Sequence, residues 1–189
     1  MSIARRFTTS ALLAAATVLG ACGDDDSNDP GAGDSEVISR VTVSLTPVGG
    51  GTTQQADITF STPTTPGAQN GALVLQKGVT YEGSVEFTNT FANPPVDITE
   101  EVALEADEHR IFYTVTGPTG VSIPTSSLDV DDNGAPLGLA YQVVVTAGAA
   151  SGAGTIRVVL SHYDDQPKGD GQTPSNETDV DVTFAYTVP

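Results

Sequence analysis

Apolar residues in this chain recur at every second position, in short runs broken by turn residues. Val41, Val43 and Leu45 form one run, and Ala56, Ile58 and Phe60 form the next. Successive side chains on an extended chain point to opposite faces, so this alternation suits a strand with one buried face and does not suit a helix. Further runs lie at Leu73 to Leu75, at Tyr81, Val85 and Phe87, at Ile111, Tyr113 and Val115, and at Val121 to Ile123. The last three runs are the clearest. They carry Leu139, Tyr141, Val143 and Val145, then Ile156, Val158 and Leu160, and finally Val180, Val182, Phe184, Tyr186 and Val188. About nine such runs, separated by clusters of Gly, Pro, Asn and Asp, predict an all-β fold, an antiparallel immunoglobulin-like β-sandwich. A closed barrel is the alternative. The chain has no tryptophan and a single cysteine, which excludes a true antibody-type domain with its inter-sheet disulfide.

If each strand crosses the full height of the sandwich, successive loops fall at alternate ends. One set of loops, at 47–51, 77–79, 117–120 and 147–154, contains no acid. The other set, at 61–72, 91–108, 128–138 and 164–179, gathers most of the acids beyond residue 36. Both histidines belong to that acidic end, because His109 opens one strand and His162 closes another. The construction requires the run at Val121 to Ser127 to be a separate strand, which Pro124 restricts to an edge.

The first 22 residues read differently. Arg5 and Arg6 precede an apolar stretch from Ala11 to Leu19, long enough for a signal sequence and too short to span a bilayer. Leu19-Gly20-Ala21-Cys22 then resembles the lipobox of bacterial lipoproteins. That resemblance implies cleavage before Cys22, diacylation of its thiol and acylation of its new amino group. Two or more acyl chains anchor stably where one does not, so the membrane becomes a partner through Cys22 without a transmembrane segment. Residues 1–21 are thus expected to be a lipoprotein signal peptide, residues 22–36 an acidic flexible tether, and residues 37–189 the β-sandwich domain. The stretch GDDDSNDPGAGDSE at 23–36 has no aliphatic side chain larger than alanine, so it has nothing to bury. Aspartates behind an acylated cysteine resemble sorting and export signals of some bacterial lipoproteins. Gly23 next to the cysteine does not suit inner-membrane retention, so the expected location is the cell envelope, lipid-anchored at the outer membrane.

The chain carries 24 acidic and 7 basic residues, for a formal net charge of −17, and residues 1–21 contain two of the bases and none of the acids. So acidic a surface repels nucleic acid and anionic headgroups, which leaves cations, basic proteins of the envelope or neutral glycans as partners.

Three stretches carry candidate chemistry. Asp129-Val130-Asp131-Asp132-Asn133-Gly134 fits the oxygen-rich half of a calcium loop, with Asp129, Asp131 and Asn133 as ligands. The glutamate that an EF-hand places at position twelve is absent, since Ala140 stands there. A hairpin turn with Gly134 at positive φ uses the same residues and is the preferred reading. The stretch from Asp97 to His109 reads as a short helix near 98–108 capped by Asp97, with Glu101, Glu105 and His109 stacked on one face, or as extended chain beside Asp107. A solvated acidic loop with a partnered histidine is the plainer alternative. His162 ends the apolar stripe of Ile156, Val158 and Leu160 next to Asp164 and Asp165, and antiparallel pairing brings Glu177, Thr178 and Asp179 towards it. His109, His162, Glu105, Glu108, Asp164, Glu177 and Asp179 therefore form a candidate transition-metal set, and two imidazoles among carboxylates suit Zn²⁺ or Cu²⁺ better than Mg²⁺. Catalysis has little support, because the chain contains no nucleophile elbow, no phosphate loop and no H-E-x-x-H.

The lipobox, the acidic tether, an early LTPVGGG, ITEE followed by ADEH, the D-x-D-D-N-G hairpin and the closing ETDVDVTF together resemble small, uncharacterised envelope lipoproteins of Gram-negative bacteria. The resemblance implies an anchored β domain and no particular activity. The expected function is a non-enzymatic binding module with an acidic loop face for a divalent cation, serving metal uptake or buffering. A structural or adhesive surface module is the alternative, and a hydrolytic domain is a weaker one.

Overall fold

A computed structural model of the chain describes residues 36–163, 168 and 172–189, all within one compact unit from Gly31 to Pro189. Cys22, the lipobox, nearly all of the tether and Asp164 lie outside the described residues. The elements follow in the order β1 (Arg40–Pro47), β2 (Gln54–Thr62), β3 (Thr65–Asn70), β4 (Leu73–Val74), β5 (Thr80–Asn89), β6 (Val96–Asp97), α1 (Thr99–Leu104), β7 (His109–Thr116), β8 (Val121–Ser122), β9 (Ala140–Val145), β10 (Gly152–His162) and β11 (Glu177–Val188), with a single 3₁₀ turn at Thr125–Ser127.

These strands form two sheets, as the alternation predicts. The larger runs β3-β2-β1-β5-β9-β8, with β6 paired to β5, and the smaller runs β4-β11-β10-β7. All pairings are antiparallel except the short one between β4 and β11. The residues that alternate in sequence are those buried between the sheets: Val41, Leu45, Phe87 and Val143 from the larger, Ile111, Ile156, Leu160 and Phe184 from the smaller. Their outward neighbours on β11, such as Asp181, Thr183 and Ala185, stay exposed.

Each of the nine expected runs becomes a strand, and two more join them. β3, with sequence TPGAQN, has no apolar alternation and pairs on the outer edge of β2. Two glutamines close the sandwich along this side. Gln54 exchanges two hydrogen bonds with the backbone of Val74, and Gln69 exchanges two with the backbone of Ala185, each amide filling the place of a neighbouring strand. The opposite edge of the smaller sheet is covered differently. The Ile111 N–H donates to the Leu137 carbonyl at 2.7 Å, and the Tyr113 hydroxyl donates to the Gly138 carbonyl at 2.6 Å, so the 128–138 loop lies along β7 and shields it from edge pairing.

The segment before β7 corrects the helix expectation. α1 ends at Leu104, its N-cap is Ile98, and no side chain caps it. The Asp97 carboxylate instead accepts from the Thr99 N–H at 2.9 Å, a turn just ahead of the helix. Glu105 and His109 therefore do not share a helical face. Val102 is the helix's buried contact with the core, and Val96–Asp97 and Thr99 tie the segment to the end of β5. The expected separate strand at 121–127 shrinks to β8, after which Pro124 opens the 3₁₀ turn. Two residues are enough to reverse the chain, and His109 and His162 fall directly opposite each other in the β7–β10 register.

Candidate metal centre

His109 and His162 stand side by side at the acidic end of the smaller sheet, with rings stacked at 4.4 Å between centroids and 21° between planes. His109 opens β7 and is fully buried, and His162 closes β10 with 3 % of its surface exposed. A third group comes from the next strand. The β10–β11 register shifts between Leu160 and Ser161, so Leu160 faces Val180 and Ser161 faces Thr178, which leaves Asp179 as the extra residue of a β-bulge. Unbroken alternation would turn Asp179 outwards with Asp181. The bulge turns it in instead, and its side chain is fully buried against His109, with Oδ2 4.0 Å from Nε2.

The fourth group arrives from the segment that leads into β1. Glu36, assigned to the tether from composition, has a buried carboxylate whose Oε1 lies 2.8 Å from His109 Nε2 and whose Oε2 lies 3.8 Å from His162 Nδ1. Glu36, His109, His162 and Asp179 each present a ligand atom, and these four atoms lie within 4.8 Å of one another. Tetrahedral coordination at about 2.0–2.2 Å would set donors ~3.4 Å apart, so modest contraction closes the shell.

Both imidazoles have partners outside this shell, supplied by the turn between α1 and β7. His109 Nδ1 donates to the Glu105 carbonyl at 3.1 Å, which directs Nε2 to the centre. His162 Nε2 lies 3.8 Å from the half-exposed Glu108 carboxylate, which leaves Nδ1 towards Glu36. The Glu105 carbonyl holds His109 as metal-bound histidines are commonly held, whereas the Glu108 carboxylate stands too far from His162 for a direct hydrogen bond. Glu105 and Glu108, expected as ligands, thus stand behind the histidines, and Glu105 does so with its backbone. Glu177 is opposite His162 in register, but its side chain is exposed.

Electrostatically the cluster needs cations. Glu36 Oε2 and both oxygens of Asp179 are buried with no N–H donor on them, a costly state if both are ionised, and a proton on Asp179 relieves it by bonding the two carboxyl groups to each other. Burial, reinforced by the negative charge of Glu36, pushes the Asp179 carboxyl up to about 8. Burial also opposes charge on Glu36 and on His109, yet their mutual hydrogen bond and attraction prevail, holding Glu36 below the usual carboxylate range and His109 above the usual imidazole range. Without a metal, protons occupy the places where a metal would share electron pairs.

The calcium-loop residues point elsewhere. Asp129 accepts from the Gly138 and Ala140 N–H groups at 2.7 and 3.1 Å, and Asp131 accepts from those of Asn133 and Ala135, both at 2.9 Å. Asp131 also pairs with buried Lys168 at 2.8 Å. Burial opposes its charge, but the Lys168 ammonium and these N–H donors hold its carboxyl low. Gly134 adopts φ 81°, as the hairpin reading requires. The loop carboxylates thus organise a turn, and the lysine that engages Asp131 also donates to the carbonyls of Ala106 and His109, fastening the start of β7.

Comparison with protein-family models, curated proteins and solved structures finds no match for this chain.

Proposed function

We propose that this protein is a lipid-anchored envelope module that holds one divalent transition-metal ion through Glu36, His109, His162 and Asp179. The supporting observation is the convergence of four side chains of metal-ligand type, from four separate chain segments, on one buried point where two carboxyl groups face two imidazoles. Two imidazoles and two carboxylates favour Zn²⁺ or Cu²⁺ over Mg²⁺ and Ca²⁺, which prefer all-oxygen shells. With all four side chains buried, exchange requires local opening, which suits retention and buffering better than rapid transfer. The anchor is supported by the lipobox at Leu19 to Cys22 alone.

The test is thermal unfolding of the chelator-treated protein, with Zn²⁺, Cu²⁺, Ca²⁺ or Mg²⁺ added singly. Zn²⁺ or Cu²⁺ at a hundred times its dissociation constant is expected to stabilise the fold by about 2.7 kcal/mol. The double variant His109→Ala, His162→Ala should lose that response. A shift with Ca²⁺ that ignores both histidines would assign binding to the 129–134 hairpin, and no shift with any ion would leave a structural or adhesive surface module as the better reading.

A further inference from the structure

Three of the four donors belong to the smaller sheet, His109 on β7, His162 on β10 and Asp179 in the bulge of β11. Glu36 alone comes from the other side. By Ser39 the chain is already part of the larger sheet, since its N–H donates to the Thr88 carbonyl on β5 at 2.9 Å and its carbonyl accepts from Phe60 on β2 at 2.7 Å. Ile38 just before it is still in the core, 4 % exposed, and the looser hold begins at Val37. Val37 is 47 % exposed, and the Glu36 carbonyl accepts from the Ile38 N–H at 2.9 Å, a local three-residue turn. What reaches from Glu36 into the rest of the fold is its carboxylate, on His109 at 2.8 Å.

We propose that the cation at this centre is a clasp between the two sheets, with Glu36 as the ligand that fastens the N-terminal segment to the domain. The inference rests on the cation-binding reading above and adds what the cation controls. Terminal segments ordinarily open with little cost in free energy, independently of the core. A coordinated Glu36 makes opening of Glu36 and Val37, ahead of core-buried Ile38, conditional on breaking a metal–oxygen bond. With the ion absent and Glu36 released, Ile38, packed in the core, is the first residue that holds the segment. Metal loading thereby sets how firmly Glu36 and Val37 are held against the smaller sheet.

Amide hydrogen exchange, resolved residue by residue in the full chain, tests this directly with Zn²⁺ as the probe after chelator treatment. Zinc is expected to slow exchange at Ile38 at least tenfold, while Ser39, held by Thr88, responds less. In Glu36→Gln zinc should bind more weakly, and at saturation Ile38 should no longer respond. Glu36 precedes the first strand, so exchange at Val143 and Phe184 confirms that the variant's core is intact. Equal zinc affinity in the wild type and Glu36→Gln by calorimetry, with Ile38 unchanged in both, would overturn the clasp and leave the cation site standing. No zinc binding to the wild type would overturn both.

Discussion

Asp179 and His109 keep protons in the folded protein at pH values where the unfolded chain releases them, so the metal-free fold binds more protons than its unfolded state through the neutral range. Stability must then fall as pH rises, because each such group stabilises below its unfolded value and that contribution is lost as pH climbs through the raised, folded one. For Asp179 the window runs from about 4, the ordinary aspartate value, up to about 8, and His109 adds a loss of the same sign above its ordinary 6.5. Glu36 is lowered, so it acts with the opposite sign and only below its ordinary 4.5, outside that window. The expected outcome is a metal-free melting temperature that declines from pH 5 to pH 9, a decline that Asp179→Asn flattens. A second prediction concerns two packed tyrosines, whose rings lie 4.4 Å apart. Tyr141 has a buried hydroxyl with no hydrogen-bonding partner, whereas that of Tyr113 donates to Gly138. Urea titration should find Tyr141→Phe neutral or stabilising by about 1 kcal/mol and Tyr113→Phe destabilising by a similar amount. At this scale the sequence reveals part of the centre. The histidines are legible because each ends an alternating run, and Asp179 because antiparallel pairing leads to it. Glu36 is hidden at the end of an acidic stretch whose composition denies it a place inside. What turns Asp179 inwards is a bulge, which strict alternation cannot express.

Strands that bury one face announce themselves, and strands that bury none do not. β1, β5, β9, β10 and β11 are readable because one face of each contributes to the core. β3 and β6 are exposed, and they pair because a free edge of β2 or β5 accepts them and, for β3, because Gln69 ties it across to β11. The helix falls within the expected 98–108 window, but Asp97 does not cap it, since its carboxylate satisfies Thr99 in a turn before the helix begins. Cross-strand packing yields a sharper prediction. Gly83 on β5 faces Tyr141 on β9, and a Cβ at that position would run into the tyrosine ring. The ring is 3 % exposed and cannot swing into solvent. Gly83→Ala should therefore destabilise the fold by about 1–3 kcal/mol through overpacking, measurable as a lower urea midpoint with an unchanged denaturant slope. The double variant Gly83→Ala, Tyr141→Leu should recover part of the loss, since the clash disappears with the ring.

A net charge of −17 acts on the whole molecule, and it separates two ways in which a cation can stabilise it. Carboxylates spread over the surface repel one another, and any salt relieves that repulsion, because the screening length shrinks from about 10 Å at 0.1 M to about 3 Å at 1 M ionic strength. Raising NaCl should thus stabilise the metal-free protein, and millimolar Mg²⁺ or Ca²⁺ acting only on this diffuse field should lose its effect once NaCl is high. The centre formed by Glu36, His109, His162 and Asp179 lies inside, with side-chain exposures of 3 %, 0 %, 3 % and 0 %. Buried charges are screened far less than exposed ones. Zinc stabilisation should persist at 0.5 M NaCl, about the level at which surface pairs are largely screened, and should saturate at one ion per chain. If the increment from zinc instead faded in parallel with that from magnesium, the ion would be responding to the acidic field as a whole, and the four converging donors would be a polar end of the core that protons alone keep neutral.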